Sequence, residues 1–233
     1  MSRADELSRS LAVLERRLVA ACAAAGRPRA GVVLVAVTKT HSVEDIATLA
    51  ALGIHDVGEN RDQEAAVKAA ALRPVLPSLR WHFVGAVQTN KAANVAAYAD
   101  VVHSVDRASL VRALSVAAVR AGRELAVLLQ VSLDGDPARG GVVAGELAAL
   151  ADQAAAANGL RLAGVMAVAP LGIDPAVAFT ALAEVAARLR VDHPDAVQIS
   201  AGMSSDLESA IAAGATYVRV GTALLGPRPP VLR

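Results

Sequence analysis

Two hydrophobic patterns alternate along this chain. Residues 4–25 place Leu7, Leu11, Leu14, Leu18 and Ala21 on one helical stripe, which Gly26-Arg27-Pro28 ends. After it come eight short apolar runs, at 32–37, 54–58, 80–84, 101–104, 126–132, 162–167, 196–199 and 216–220. Each reads as a buried strand, and helical stretches separate them: about 42–52, 63–72, 91–98, 108–121, a segment ending near 157, 175–190, and 205 to Gly214. A short turn at 222–225 closes the series. Ser42-Val43-Glu44-Asp45 and Ser205-Asp206-Leu207-Glu208 have the capping-box form that opens a helix. Strict βα alternation with short connections predicts parallel strands and right-handed crossovers. Eight such units predict a closed barrel, a single α/β (β/α)8 TIM barrel with an additional N-terminal helix, spanning 1–233 as one domain.

Composition narrows the class. Hydrophobic residues make up 55% of the chain, but aromatics only 2%, so the excess is alanine-rich helix and tight packing. No stretch approaches the roughly 20 apolar residues of a spanning helix. The N-terminus mixes Arg3, Asp5, Glu6, Arg9, Glu15, Arg16 and Arg17 into its apolar pattern, unlike a secretory signal. A cytoplasmic protein is expected, without membrane contact. With 23 basic and 22 acidic residues the net charge is +1, which supplies no field for nucleic acid. The single Cys22 reads as buried helix filler.

In such barrels chemistry sits at the C-terminal ends of the strands, and phosphate commonly after strands seven and eight. Side chains alternate, so Val33, Val35, Val37 and Lys39 share one face, as do Tyr217, Arg219 and Gly221. Closure brings the first and last strands together, so Lys39 faces Arg219 and the Gly221-Thr222 turn. At a strand end Lys39 is either a solvated surface lysine or a Schiff-base amine, whose pKa burial beside other cations would lower. Gly202-Met203-Ser204, leading into a helix capped at Ser205, and Gly221-Thr222 are either ordinary caps or the two halves of a phosphate cradle. An amine beside an anion site suits a phosphorylated aldehyde. Arg219 is either a structural arginine or a cation facing a pyridine nitrogen. Asn60 is a turn residue or a donor to a ring substituent. His82, between Trp81 and Phe83, reads as a core histidine; His103 and His55 carry less. Asp134 and Asp136 flank Gly135 as a turn.

These residues resemble the pyridoxal phosphate homeostasis proteins, relatives of the barrel domain of alanine racemase. The matching segments run in order: 35–39 (VAVTK), 58–64 (GENRDQE), 81–91 (WHFVGAVQTNK), 103–106 (HSVD), 164–166 (GVM), 200–206 (SAGMSSD) and 219–226 (RVGTALLG). The resemblance implies pyridoxal 5′-phosphate (PLP) held as a Schiff base on Lys39, with Arg219 at the pyridine nitrogen. Ser204, Gly221 and Thr222 would hold the phosphate, and Asn60, Ser200 and Met203 would line the pocket. The family usually has serine where this chain has Thr38, a minor change. Its Lys-x-Gly pattern is replaced by Arg139-Gly140-Gly141.

Alanine racemase adds a second domain, which supplies a tyrosine acid/base from the partner subunit. This chain ends at Arg233, and its tyrosines are Tyr98 on a predicted helix and Tyr217 at the start of the eighth strand. Two-sided proton transfer at an α-carbon then has no evident machinery. The expectation is a carrier without catalytic residues or metal, which binds and buffers PLP, delivers it to PLP-dependent apo-enzymes, and acts as a monomer. The alternatives are a weak PLP-dependent racemase and a Schiff-base aldolase.

Overall fold

A computed structural model describes residues 2–227, apart from the side chain of Pro137, so both ends of the expected 1–233 domain lie outside the described residues. Eight parallel strands close into a barrel in sequence order: β1 (Val33–Val37), β2 (Asp56–Glu59), β3 (Arg80–Phe83), β4 (Val101–Val105), β5 (Leu125–Gln130), β6 (Leu160–Met166), β7 (Gln198–Ser200) and β8 (Tyr217–Val220). The helices are α1 (Arg3–Ala24), α2 (Val43–Ala51), α3 (Asp62–Leu72), α4 (Ala92–Tyr98), α5 (Ala108–Arg120), α6 (Leu147–Ala156), α7 (Pro175–Asp192), α8 (Leu207–Ala212) and α9 (Thr222–Leu225). None of them is long and apolar enough to cross a membrane. The alternation expected from the sequence is observed, with element ends moved by one to a few residues. β2 starts at Asp56 rather than at residue 54, and β7 runs on to Ser200.

Register sets up the site. β1 pairs with β8 so that Val33 stands beside Tyr217 and Val35 beside Arg219. On these strands Val35 and Tyr217 belong to the inner cluster, with Val101, Ala126, Leu128, Ala163 and Met166. The alternate residues Leu34, Ala36, Val218 and Val220 pack outward, together with Leu7, Leu11, Leu14 and Leu18 of α1. The helical stripe read from the sequence is thus the face that seats α1 over the β1–β8 seam. Ser2 starts α1 with a full capping box, accepting from the Asp5 N–H while Asp5 accepts from the Ser2 N–H. Ser42 caps α2 as expected, through the Asp45 N–H.

The Ser205 capping box does not form. Asp206 is the N-cap of α8, and its carboxylate turns back to accept from the Met203 N–H at 2.6 Å. Asp206 takes that place because it closes the Met203–Asp206 turn from both ends, its own N–H donating to the Met203 carbonyl. On β6, Gly164 stands at φ +149° where a Cβ would lie 1.9 Å from the Gln198 carbonyl oxygen, so only glycine lets β6 and β7 approach.

Candidate functional site

At the C-terminal mouth of the barrel a cavity of about 410 Å³ is shared by Lys39, Asn60, Met203, Ser204, Arg219, Gly221 and Thr222. That volume suits a small ligand. Seven of the eight expected site residues therefore meet. The eighth, Ser200, does not line the cavity. It is fully buried beneath the floor, where its Oγ accepts from Arg219 Nη1 and contacts His103 Nδ1 at 2.9 Å. The family resemblance had implied that Ser200 would line the pocket.

Lys39 is partly buried and sits on a turn held from below. Lys68 of α3, almost fully buried, donates to the Thr38 carbonyl (2.8 Å), to Glu59 Oε1 (2.8 Å) and to Glu64 Oε1 (2.6 Å). Thr38 Oγ1 donates to the same Glu59 oxygen at 2.7 Å, and the Thr40 N–H donates to Glu64 at 2.5 Å. Thr40 has φ +67°, among the described residues the only non-glycine in the left-handed region. A β-branched residue there is strained, and the Lys68–Glu59–Glu64 cluster is what holds it. Burial raises the Glu59 carboxyl pKa above its usual range, against the Lys68 and Thr38 hydrogen bonds. For Glu64 burial acts the same way, but the Lys68 and Thr40 bonds outweigh it and its pKa falls.

Opposite Lys39, Arg219 is buried with no carboxylate within 4 Å among the described residues. Its acceptors are the Ser200 hydroxyl and the Ala167 carbonyl, the latter at 3.0 Å. Burial lowers its pKa to about 10, so it remains a cation at neutral pH. A buried, uncompensated guanidinium is unfavourable without an electron-rich neighbour. In the same cavity the buried Asn60 Oδ1 has no hydrogen-bond partner among the described residues. Gly85 keeps Asn60 in place, since a Cβ there would meet the Asn60 carbonyl at 2.5 Å.

The far side of the cavity is a loop with hydroxyls. Ser204 Oγ accepts from the Ala223 N–H at 3.4 Å, tying the loop after β7 to the turn after β8. The Ser204, Ser205 and Thr222 N–H groups have no acceptor among the described residues. Arg17 of α1 holds this loop, donating to the Ser204 carbonyl at 3.1 Å and forking onto Glu208 at 2.9 and 3.0 Å. An amine, a buried cation, an orphaned amide oxygen and a donor-rich loop in one cavity fit an aromatic aldehyde with a hydroxyl substituent and a phosphate tail. PLP has that chemistry.

The supporting residues Lys68, Glu64 and Arg17 were not singled out by sequence reading. Lys68 and Glu64 carried a signal, an i,i+4 pair on a predicted helix, but the third partner Glu59 comes from a strand. Arg17 reaches Glu208 across 191 positions, which no local pattern reveals.

Comparison with known proteins agrees. The family model described as "Alanine racemase, N-terminal domain" matches residues 10–229. The chain is 44% identical to the pyridoxal phosphate homeostasis protein of Mycobacterium tuberculosis, over 97% of this chain and 94% of that one. It is 39% identical to the protein of that name from Pseudomonas aeruginosa, over 95% and 96%. Among solved structures, PipY of Synechococcus elongatus with PLP bound superposes with a TM-score of 0.83 at 36% identity, covering 94% of this chain and 100% of that one. Alanine racemase of Corynebacterium glutamicum, at 17% identity and a TM-score of 0.71, shares the fold and covers 99% of this chain against 62% of the racemase.

Proposed function

Because the chain belongs to the pyridoxal phosphate homeostasis protein family, we propose that it binds PLP covalently through Lys39 and keeps it available to apo-enzymes, without turning over a substrate. The observation that carries this reading is the single cavity containing the Lys39 amine, the uncompensated Arg219 and the Ser204–Thr222 donors. When bound, the cofactor supplies an aldehyde that a primary amine can capture and a ring that can withdraw electrons.

The residues divide the work. Lys39 is the nucleophile, presented by the Lys68–Glu59–Glu64 cluster. Arg219 would face the ring nitrogen; as a cation that only donates, it would keep that nitrogen unprotonated and weaken the ring as an electron sink. Asn60 would hold the ring hydroxyl, and Ser204, Gly221 and Thr222 would hold the phosphate. Among the described residues the cavity lining holds no tyrosine. Tyr217 lies deeper in the barrel, its ring centroid 5.4 Å from His82 and 5.7 Å from His103. A carrier needs capture and release, and this lining supports that more readily than paired acid/base transfer. We expect it to act as a monomer.

Borohydride reduction after incubation with PLP, followed by peptide mass spectrometry, tests the assignment. One reduced adduct on Lys39 is expected, and Lys39→Ala should lose both the adduct and the visible absorption while keeping its circular dichroism. A yellow, reducible Lys39→Ala protein would overturn it. Exchange of α-protons on a panel of amino acids should not exceed that with free PLP; a clear excess would make the protein a racemase-like enzyme instead.

A further inference from the structure

Four hydrogen bonds cross the inside of the barrel from its N-terminal rim to the cavity floor. Asp56, the first residue of β2, contacts His82 Nε2 of β3 through Oδ1 at 2.8 Å. His82 Nδ1 contacts His103 Nε2 of β4, also at 2.8 Å. His103 Nδ1 contacts Ser200 Oγ of β7 at 2.9 Å, and Ser200 accepts from Arg219 of β8. Both imidazoles are buried, and each ring nitrogen has one partner. Apart from Arg219, none of these residues lines the cavity.

The chemistry of the two ends allows one arrangement of protons. A guanidinium can only donate, so Ser200 accepts from Arg219. An ionised carboxylate can only accept, so His82 donates from Nε2 to Asp56. If both rings are neutral, His82 Nδ1 is an acceptor and His103 Nε2 is its donor. His103 Nδ1 then accepts the Ser200 hydroxyl proton. Every donor and acceptor is satisfied, and every hydrogen bond points the same way, from Arg219 toward Asp56. Charging His82 instead would turn the middle bonds round and leave the Ser200 hydroxyl proton without an acceptor. Burial lowers the pKa of both rings, His103 strongly, which agrees with the neutral arrangement. The other charged groups in view are Arg80, 3.6 Å from Asp56, Asp100 near His82, and Asp206 near Arg219; Tyr217 packs edge-on against His82 and tilted against His103.

We propose that Asp56, His82 and His103 are positioning residues for Arg219: acting through Ser200 as a one-way donor chain, they aim the guanidinium at the cavity and relay the Asp56 negative charge to it. Aligned hydrogen bonds polarise one another, so a distant carboxylate offsets part of a buried positive charge that has no carboxylate within 4 Å among the described residues. The chain is a property of the protein alone. Its effect on a bound ligand rests on the cofactor reading above.

Two measurements test it. In the cofactor-free protein labelled with 15N-histidine, long-range proton–nitrogen correlation should show His82 and His103 neutral, with the proton on Nε2, between pH 6 and 8. A proton on Nδ1 of either ring overturns the proposal. In the PLP-loaded protein, Asp56→Asn and His103→Phe should still give the borohydride-trapped Lys39 adduct. Without the relayed negative charge Arg219 makes the cavity more positive, so the pH midpoint of the visible band should fall by about half a unit. A purely structural role would lower the melting temperature and leave that midpoint in place, and an unmoved midpoint in Asp56→Asn, with loading intact, refutes the relay. Asp56→Asn is isosteric and lies at the barrel rim, so it decides the matter if His103→Phe does not fold. If the parent forms no adduct, the cofactor reading fails, and the tautomers alone decide the chain.

Discussion

Between the strands and the helices, outside the Lys68–Glu59–Thr38 cluster, the buried side chains are mainly aliphatic and aromatic, with Trp81, Phe179, Leu110 and Leu114 among the largest. Inside the barrel, Val35, Ala126, Leu128 and Ala163 share the space with His82, His103, Ser200 and Arg219. One strand shows both: Trp81 and Phe83 of β3 join the outer core while His82 points in. The outer layer needs only volume and apolarity, and many packings would serve. The lumen depends on direction, because its polar atoms are satisfied only by particular partners. The first layer holds the fold; the second orients the charge beneath the cavity.

The largest expected effect separates the two layers. Phe179→Ala, deep in the outer core, should lower stability by about 3–5 kcal/mol by urea titration, yet leave the pH midpoint of the visible band unchanged. A moved midpoint would show that the layers are coupled.

The next prediction concerns the buried ion cluster under Lys39. Lys68→Ala strips Glu59 of its cation and should cost about 3 kcal/mol at neutral pH. It should also slow PLP capture by Lys39, measured as the rate at which the visible band grows, because the Thr38–Thr40 turn loses its anchor. Glu59 has a folded pKa raised by burial, so its protonated form is favoured in the native state. The deficit should therefore shrink as pH falls below that raised value. A stability loss with an unchanged capture rate would reduce the cluster to a structural role.

The smallest effect is at the surface. Arg3 of α1 pairs with Asp45 of α2 at 2.9 Å and donates to the Leu225 carbonyl of α9. Its hydrogen bond, against burial, holds the Asp45 pKa below the usual carboxylate value. A depressed acid stabilises above its unfolded pKa, and that stability is lost as pH falls through the folded one. Arg3→Ala should thus cost under about 1 kcal/mol at pH 7, and part of that difference should vanish in strong acid. A difference that persisted in full would mean that the Leu225 contact alone matters.

Much of the site was legible because strand alternation is a local rule. Lys39 follows Val35 and Val37 on one face, Arg219 follows Tyr217, and closure of eight strands makes those faces neighbours. The Ser205 cap failed because two capping residues compete in adjacent positions, and the choice between them depends on the turn they close. Ser200 stands at the end of β7 but is buried below the lining residues. His82 read as a core histidine and His103 carried less, since nothing in either segment says what lies across the lumen.

The order of the strands, the faces of β1 and β8 and the amine at the mouth follow from the sequence alone, because hydrophobic periodicity and chain connectivity act between near neighbours. Which polar atoms meet inside the barrel, and how Lys68 and Arg17 brace the cavity, was decided only by the tertiary structure. Hydrogen bonds reward approaches of a few tenths of an ångström between residues up to 191 positions apart, and strand stagger and closure set those approaches.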